Sequence, residues 1–263
     1  MSEYIIFGII FIYGIVIGSF LNVCIFRIPD ESSIVTGRSH CMNCNTQLKW
    51  YELIPVFSYL FLLGKCRSCK SHISIQYPIV EALNGFFYVL VFYLYGWRTW
   101  NTISLNVIYC LVISALIVLS VIDFRTNSIP IGVNIFIMVM GLVAALVEYF
   151  WFGRSTDIIL DHAIGFIAVS GFMLLIYYAT KGRGIGGGDI KLMAGAGLLL
   201  GLEEVLLAFL IGCVLAGIIH PIRMRINNLS RVLAFGPYLS IGIVLSMLFG
   251  KKIMDWYLQT FFV

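Results

Sequence analysis

The sequence predicts an all-α polytopic membrane protein: a bundle of about eight transmembrane helices with one small polar domain outside the membrane. Hydrophobic residues make up 60% of the 263-residue chain and charged residues only 11%, with a mean hydropathy of +0.98. A soluble domain of this length carries far more charge. The apolar residues also gather in runs near the roughly 17–25 residues that a helix needs to cross a bilayer.

Seven apolar runs are predicted to span the membrane, and an eighth is shorter. The eighth run, Ile190–Leu202, can complete a crossing only as a short segment enclosed by other helices. The seven longer runs are Ile5–Phe26, Ile79–Tyr95, Ile103–Ile122, Ile131–Trp151, Ile158–Ala179, Val205–His220 and Val232–Phe249.

The distribution of lysine and arginine predicts the orientation of the chain. Cytoplasmic loops of membrane proteins carry an excess of these residues. With eight spans, thirteen of the 17 basic residues fall on one side, which we predict to be cytoplasmic, with both termini outside. The thirteen are Arg27, Arg38, Lys49, Lys65, Arg67, Lys70, Arg125, Lys181, Arg183, Lys191, Arg223, Arg225 and Arg231; the other four are Arg98, Arg154, Lys251 and Lys252. The net charge of +4 suits a protein of a bacterial inner membrane and requires no nucleic-acid partner.

The organisation predicted from these patterns has three parts. Residues 1–26 form the first transmembrane helix, residues 27–78 a cytoplasmic domain, and residues 79–263 the remaining helical bundle. About 50 residues rarely build a hydrophobic core without a metal or disulfides.

Four of the seven cysteines supply a reason for the small domain to fold. They form two Cys-x-x-Cys pairs, Cys41 with Cys44 and Cys66 with Cys69. This pattern suits tetrahedral coordination of Zn²⁺ by four thiolates, and four protein ligands make a structural site. Two disulfides or a redox pair are the alternative, which a reducing cytoplasm disfavours. His40 and His72 each lie near one of these pairs as rival ligands, but the favoured interpretation is that both are surface loop histidines.

Two aspartates are the candidates for chemistry. Asp123 ends the third apolar run and Asp189 follows three glycines, Gly186 to Gly188, where the chain re-enters an apolar run. A carboxylate near the hydrocarbon is costly and therefore indicates function. Two such groups a few ångströms apart share one proton, so one can activate a water while the other polarises a carbonyl.

Several neighbouring residues have a structural and a functional interpretation. Gly186 and Gly188 allow tight turns and close approach of a substrate strand, although a Gly-rich loop can also be an ordinary connection. Lys191 supports the site or only anchors the helix at the membrane surface. Asp161 and His162, at the opposite membrane edge, are expected to be solvated.

Taken together, these motifs make the chain resemble the type IV prepilin peptidases, which are membrane enzymes that cleave and N-methylate prepilins. The resemblance covers nearly the whole length. It rests on Asp123 with Ile129-Pro130 and on the stretches at 18–23, 27–29, 38–41, 48–55, 64–69, 73–81, 186–192 and 235–239.

The resemblance implies the function. Asp123 and Asp189 become an aspartyl-protease pair that cuts a prepilin or pseudopilin after the glycine of its leader, on the cytoplasmic face. S-adenosylmethionine then supplies the methyl group for the new amino terminus. Gly64, Lys65 and Glu81 are the implied candidates for this second activity. The alternatives are a peptidase without methylation and a non-enzymatic assembly factor or transporter that uses the aspartates for ion coupling.

Overall fold

The computed structural model describes residues 2–153, 155–227 and 233–261, and this part of the chain is helical, with two isolated β-bridges and no strand. Seven of the helices are long and apolar enough to cross a membrane, and α2 is a single short turn. The predicted all-α, multi-span class is confirmed. The helices are α1 (Ser2–Arg27), α2 (Phe57–Phe61), α3 (Gln76–Tyr95), α4 (Trp100–Thr126), α5 (Ile131–Phe152), α6 (Thr156–Ala179), α7 (Gly187–Asn227) and α8 (Gly236–Phe261).

The chain divides into two compact units, Met1–Gly96 and Trp97–Val263, so α3 groups with α1. In the first unit, small residues let the two helices approach closely. A Cβ added at Gly14 would lie 2.6 Å from the Cα of Gly85, and one at Gly18 would lie 2.7 Å from the Cα of Glu81. The buried Asn84 side chain donates to the Gly14 carbonyl at 2.7 Å. Close glycine contacts and interhelical hydrogen bonds replace the hydrophobic drive that lipid cannot supply.

The first unit also holds the polar segment between α1 and α3. Its entry is fixed by Arg27, whose guanidinium donates to the carbonyls of Ser33 and Thr36 at 2.9 Å and to that of Gly37 at 3.2 Å. A 3₁₀ turn, Trp50–Leu53, and α2 follow before the chain enters α3. The division into residues 1–26, 27–78 and 79–263 stays a functional prediction.

In the second unit, α7 is the central element and packs against α5, α6 and α8. Its glycines make these contacts close. A side chain at Gly197 would overlap the carbonyl of Gly165 in α6, and one at Gly242 of α8 would overlap the carbonyl of Ala208. The buried surface of the unit is otherwise aliphatic, with Leu119, Ile137 and Leu239 fully enclosed.

The helix α7 is broken at Gly201, where φ is +75° and ψ is −175°. Glycine adopts this conformation without the penalty that a Cβ would bring. The carboxylate of Asp161 accepts the N–H of Leu202 at 3.2 Å and so caps the helix that restarts there. The first arm has about 14 residues and is roughly 21 Å long at 1.5 Å per residue.

Contacts at both ends show that the chain reverses at this break. Gly188, at the start of the first arm, lies beside the first turn of α5. Near the start of the second arm lies Glu204, whose carbonyl accepts from the Ser246 hydroxyl near the end of the apolar part of α8. It returns to Arg223, which lies 4.2 Å from the ring of Phe124 at the end of α4. The short run predicted as Ile190–Leu202 is therefore a separate arm, as the eight-span arrangement requires.

The edge of the unit near Gly201 corrects one expectation. Asp161 is exposed as predicted, but His162 is buried. Its Nδ1 lies 2.8 Å from the Leu198 carbonyl and its Nε2 lies 3.3 Å from the carboxylate of Glu148. A buried imidazole needs such partners, and here they tie α6 to the end of the first arm. Of the residues used to predict orientation, Arg154 and Arg231 lie outside the described residues, as does Val232 at the predicted start of the last span.

Candidate active site and metal centre

Asp123 is buried at the end of α4, with 4% of its surface exposed. Its Oδ2 accepts the backbone N–H of Gly236, the first residue of α8, at 2.9 Å. The helix ends at Thr126, and the residue that caps it, Asn127, has a left-handed φ of 50° and donates its N–H to the Asp123 carbonyl at 2.8 Å. This helix end and the start of α8 together fix the position of the carboxyl group.

Asp189 lies in the first turn of α7 and has 8% of its surface exposed. One carboxylate oxygen, Oδ2, lies beside Gly186, where an added Cβ would be 2.9 Å away. The other, Oδ1, is buried and has no hydrogen-bond partner among the residues that the structure describes. A buried oxygen without a partner is costly, so it marks a place where a shared proton or a water belongs.

The side chain of Ile129 joins the surroundings of the two aspartates. A Cβ added at Gly188 would lie 2.9 Å from the Ile129 Cβ, and one added at Gly236 would lie 3.2 Å from the Ile129 Cδ1. The starts of α7 and α8 therefore meet at the segment that follows α4. The two carboxyl groups are close enough for the charge of Asp123 to act on Asp189.

Sequence patterns gave no role to two groups that position these carboxylates. One is the Gly236 N–H described above. The other is Asn134 in the first turn of α5, which is 1% exposed and donates its Nδ2 to the Gly188 carbonyl at 3.0 Å. An asparagine on an apolar helix face was the available signal, because such a residue needs an internal partner.

Of the three predicted supporting residues, Gly186 and Gly188 have close contacts at the aspartate site. A Cβ at Gly186 would lie 2.9 Å from the Asp189 Oδ2. Lys191, the fifth residue of α7, is exposed. Its support for the site stays a prediction.

The four cysteines of the polar segment come together as predicted. Their sulfur atoms all lie within 4.8 Å of one another, and Cys41 and Cys69 are 3.9 Å apart. Tetrahedral Zn²⁺ with bonds of about 2.3 Å separates its sulfur ligands by roughly 3.8 Å, so the arrangement fits the ion. Both histidine rivals are outside the cluster that the described residues form, and the cysteines carry no disulfide there.

The two cysteine pairs are built alike, a similarity that the sequence alone did not reveal. Cys41 donates its N–H to Thr46 at 3.0 Å, and Cys66 donates to Ser71 at 2.8 Å. Each loop turns through a residue with left-handed backbone four positions after its first cysteine: Asn45 with φ 54° and Lys70 with φ 60°. Each is closed by a β-bridge, one at His40↔Gln47 and the other at Lys65↔His72. The repeated backbone aims both pairs of thiols at one point.

The surroundings of two of the four sulfur atoms, those of Cys41 and Cys69, favour the thiolate, which is the form that binds a metal. The hydroxyl of Ser71, 3.0 Å from the sulfur of Cys69, lowers the pKa of that thiol to about 6. The backbone N–H of Cys44 lowers the pKa of the Cys41 thiol. The donor set and its hydrogen bonds are therefore compatible with zinc.

The three methyltransferase candidates have different surroundings. Gly64 has φ +66° and lies under the ring of Tyr59, where a Cβ would be 2.8 Å from the hydroxyl. Lys65 is exposed beside it in the second cysteine loop. Glu81 is buried in α3, and its Oε2 accepts the N–H of Val56 at 2.7 Å. The Glu81 carboxylate thus holds the polar segment to a membrane helix, whatever further role it has.

The fold and the two buried carboxyl groups define a class: polytopic membrane proteins with a carboxylate pair at the ends of their helices. Residues 12–95 match the model of the bacterial peptidase A24 N-terminal domain, and residues 110–221 match that of the type IV leader peptidase family. No solved structure matches the chain significantly.

Curated proteins of similar sequence match this chain over nearly its full length. A prepilin leader peptidase/N-methyltransferase of Bacillus subtilis is 33% identical over 257 residues, which cover 96% of this chain and 98% of the relative. Proteins of the same name from Aeromonas salmonicida and Neisseria gonorrhoeae are 30% and 31% identical and cover 97% and 88% of this chain, and 94% and 86% of their own lengths. The chain belongs to the prepilin leader peptidase/N-methyltransferase family. It is therefore an enzyme, a peptidase with methyltransferase activity.

Proposed function

We propose that this protein is an intramembrane aspartyl peptidase that removes the leader of type IV prepilins or pseudopilins at the cytoplasmic face and then methylates the new amino terminus. The relatives supply the substrate class through their names. The observation that carries the proposal is that Gly188, next to Asp189, and Gly236, which binds Asp123, both lie against Ile129, with both carboxyl groups buried.

The pair performs hydrolysis without a metal or a covalent intermediate. One carboxylate removes a proton from a water, whose oxygen attacks the scissile carbonyl carbon, while the protonated partner donates to the carbonyl oxygen. Collapse of the tetrahedral intermediate breaks the C–N bond, and the leaving amine takes a proton from the pair. The Asp189 Oδ1, which has no partner among the described residues, is the atom available for the water or the shared proton.

The neighbouring residues position this pair. The N–H of Gly236 orients the Asp123 carboxyl group and Asn134 fixes the Gly188 peptide, so neither carboxylate depends on the substrate for its position. Gly186 and Gly188 keep space that a side chain would fill. Lys191 is exposed near the start of α7 and is suited to anchor this end of the helix in the headgroup region.

The cytoplasmic assignment of the site rests on charge. Arg125 follows the first aspartate, Lys191 follows the second, and Arg223 lies over Phe124. Because basic residues favour the cytoplasmic side, this end of the bundle faces the cytoplasm and both termini lie outside. The location is the bacterial inner membrane, where the hydrophobic helix of a prepilin can reach the site from the bilayer.

We assign zinc a structural role in the polar segment. Cys41, Cys44, Cys66 and Cys69 fill a tetrahedral shell and leave no position for a reactive water. The ion would link the two cysteine loops of a segment too small to fold around a core of its own.

S-adenosylmethionine is the second substrate. The new amine attacks its sulfonium methyl group, the carbon–sulfur bond breaks, and the amine releases a proton. Gly64, Lys65 and Glu81 remain the candidates near this step, on the strength of the family resemblance.

Co-expression with a prepilin tests both activities in one measurement of intact product mass. Asp123→Asn and Asp189→Asn each remove a carboxylate with little change in volume, so each should leave the leader uncut in protein that still inserts in the membrane. Asp157→Asn, an exposed aspartate at the far end of the unit, is the matched control and should process normally.

The wild-type product should be lighter by its leader and heavier by about 14 Da for one methyl group. A product without the methyl mass would limit the protein to the peptidase step. Normal cleavage by either aspartate variant would rule out the aspartyl mechanism.

A further inference from the structure

A stretch of eleven uncharged residues lies inside the segment assigned to the cytoplasm. It runs from Ile54 to Gly64 and includes α2. We propose that this stretch, here named the interface loop, is inserted in the cytoplasmic leaflet with its apolar side chains in contact with lipid acyl chains. The proposal is independent of the reaction proposed above.

The depth of the interface loop is fixed by Glu81. This residue lies five positions after the start of α3, a helix of 20 residues that matches the hydrocarbon thickness by itself. Five residues correspond to about 7.5 Å along the helix axis. Because the Glu81 carboxylate accepts the N–H of Val56 at 2.7 Å, the backbone of Val56 is level with the second turn of a membrane-spanning helix.

The first helix gives an independent measure of the same depth. Gly18 packs on Glu81 so closely that a Cβ there would lie 2.7 Å from the Glu81 Cα. The helix α1 continues for nine more residues to Arg27, which corresponds to roughly 13 Å. Val56 is therefore well below the cytoplasmic end of α1.

The side chains of the interface loop suit lipid and not water. Phe57, Leu60, Phe61 and Leu63 are 53%, 61%, 83% and 81% exposed. Four large apolar side chains exposed within seven residues are unusual on a water-facing surface without a partner. At the depth of the second turn of α3, the surrounding medium is the bilayer.

The backbone of the interface loop is hydrogen-bonded as a low-dielectric medium requires. The N–H groups of Ser58, Leu60 and Leu62 donate to carbonyls of the loop at 3.0–3.1 Å, and that of Gly64 donates to Tyr59 at 2.9 Å. The N–H of Val56, whose φ is +62°, takes the Glu81 carboxylate instead. The Glu81 carboxylate thus accepts the N–H of Val56, which no carbonyl of the loop accepts.

The residues that flank the interface loop are those of a membrane–water boundary. Trp50 and Tyr51 precede it, and Trp50 is 78% exposed. Lys49 lies before it, and Lys65 and Arg67 follow. Aromatic residues and cations at the two ends of an apolar stretch are typical of an element that lies in the headgroup region, where anionic lipids attract the cations.

The test places a tryptophan in the interface loop and measures its quenching in nanodiscs made with brominated acyl chains. The variant is Phe61→Trp, and Val35→Trp is the control. Val35 is 86% exposed in the same polar segment. Its neighbour Thr36 is hydrogen-bonded to Arg27 at the end of α1, which is about 13 Å further along the α1 axis than Gly18, the residue that packs on Glu81. The emission of the five native tryptophans is subtracted using the unmodified protein.

Interfacial elements bury their apolar face about 5–10 Å into the boundary, so the tryptophan at position 61 should lose about half of its emission or more. The one at position 35 should lose little and should instead be quenched by aqueous iodide. Equal bromine quenching at the two positions would overturn the proposal. Iodide quenching at position 61 would also overturn it. Protection of position 61 from both quenchers would overturn it as well, because protein and not lipid would then cover this face. Leu60→Trp repeats the test if Phe61→Trp does not insert.

Discussion

Two neighbouring glycines before Asp189 are predicted to respond in opposite ways to the same substitution. A Cβ added at Gly187 meets no atom within 4 Å. A Cβ added at Gly188 lies 2.9 Å from the Cβ of Ile129, the residue that also lies beside Gly236, the hydrogen-bond partner of Asp123. Gly187→Ala and Gly188→Ala therefore differ in their effect on the site, although both add one methyl group to the same turn.

The magnitude follows from the distance. Two carbon atoms in contact prefer about 3.5–4.0 Å, so Gly188→Ala requires a displacement of roughly 0.6–1 Å. A Cβ atom cannot rotate away, so the backbone at Ile129 or at the start of α7 must move. Overpacking of this kind costs about 1–3 kcal/mol in stability. A misplacement near 1 Å at a reacting group can lower the rate about 100-fold, equivalent to roughly 2.7 kcal/mol of transition-state stabilisation.

The assay is leader cleavage of a purified prepilin in detergent or nanodiscs, with kcat and KM measured separately. Gly188→Ala should lower kcat about 10- to 100-fold. Gly187→Ala should stay within about threefold of the wild type, because surface substitutions away from packed atoms have small effects. Thermal unfolding of both variants separates a displaced carboxylate from a lost fold. Equal rates for the two variants, with both folded, would refute the argument that the contact between Gly188 and Ile129 positions the aspartates.

Three further predictions test other parts of the structure. Purified protein should hold about one zinc ion per chain, and Cys44→Ser should lower the metal content and make the polar segment more sensitive to protease; metal analysis without zinc would contradict this. Gly201→Ala should lower the melting temperature and the yield, because a φ of +75° is unfavourable for alanine and the added methyl group would overlap Asp161. The control Gly217→Ala, whose added methyl group meets no atom within 4 Å, should lower neither. Equal melting temperatures for the two variants would argue against the break at Gly201. Asn134→Ala should lower kcat about tenfold, because loss of one hydrogen bond to the Gly188 peptide costs about 1 kcal/mol or slightly more; an unchanged kcat would remove Asn134 from the set of positioning residues.

The sequence was most informative where a pattern acts within one segment. Hydropathy predicts the spans because each helix must satisfy its own backbone hydrogen bonds in lipid, so its length and composition suffice. The cysteine spacing predicts the thiol cluster because each pair is a local turn, and the second pair needs only a flexible loop to reach the first. The burial of Asp123 and Asp189 follows from their place at the ends of apolar runs.

The sequence was least informative where one segment depends on another. The partners of His162 come from α5 and from the end of the first arm of α7, so its burial cannot be read from its polar neighbours. Glu81 resembles an ordinary residue of a helix start until its contact with Val56, 25 positions away, is seen. Asn134 contacts a peptide 54 positions away, and no local pattern marks that pair.

The sequence by itself determined the helical membrane class, the thiol cluster and the two carboxyl residues, since each depends on composition or on spacing along the chain. The tertiary structure alone decided how the carboxylates are held. The reversal at Gly201, the approach of Gly236 to Asp123 and the placement of Ile129 between the helix ends all arise from close packing among helices distant in sequence. Such packing depends on which surfaces meet in three dimensions, and the order of residues in any one helix does not contain that information.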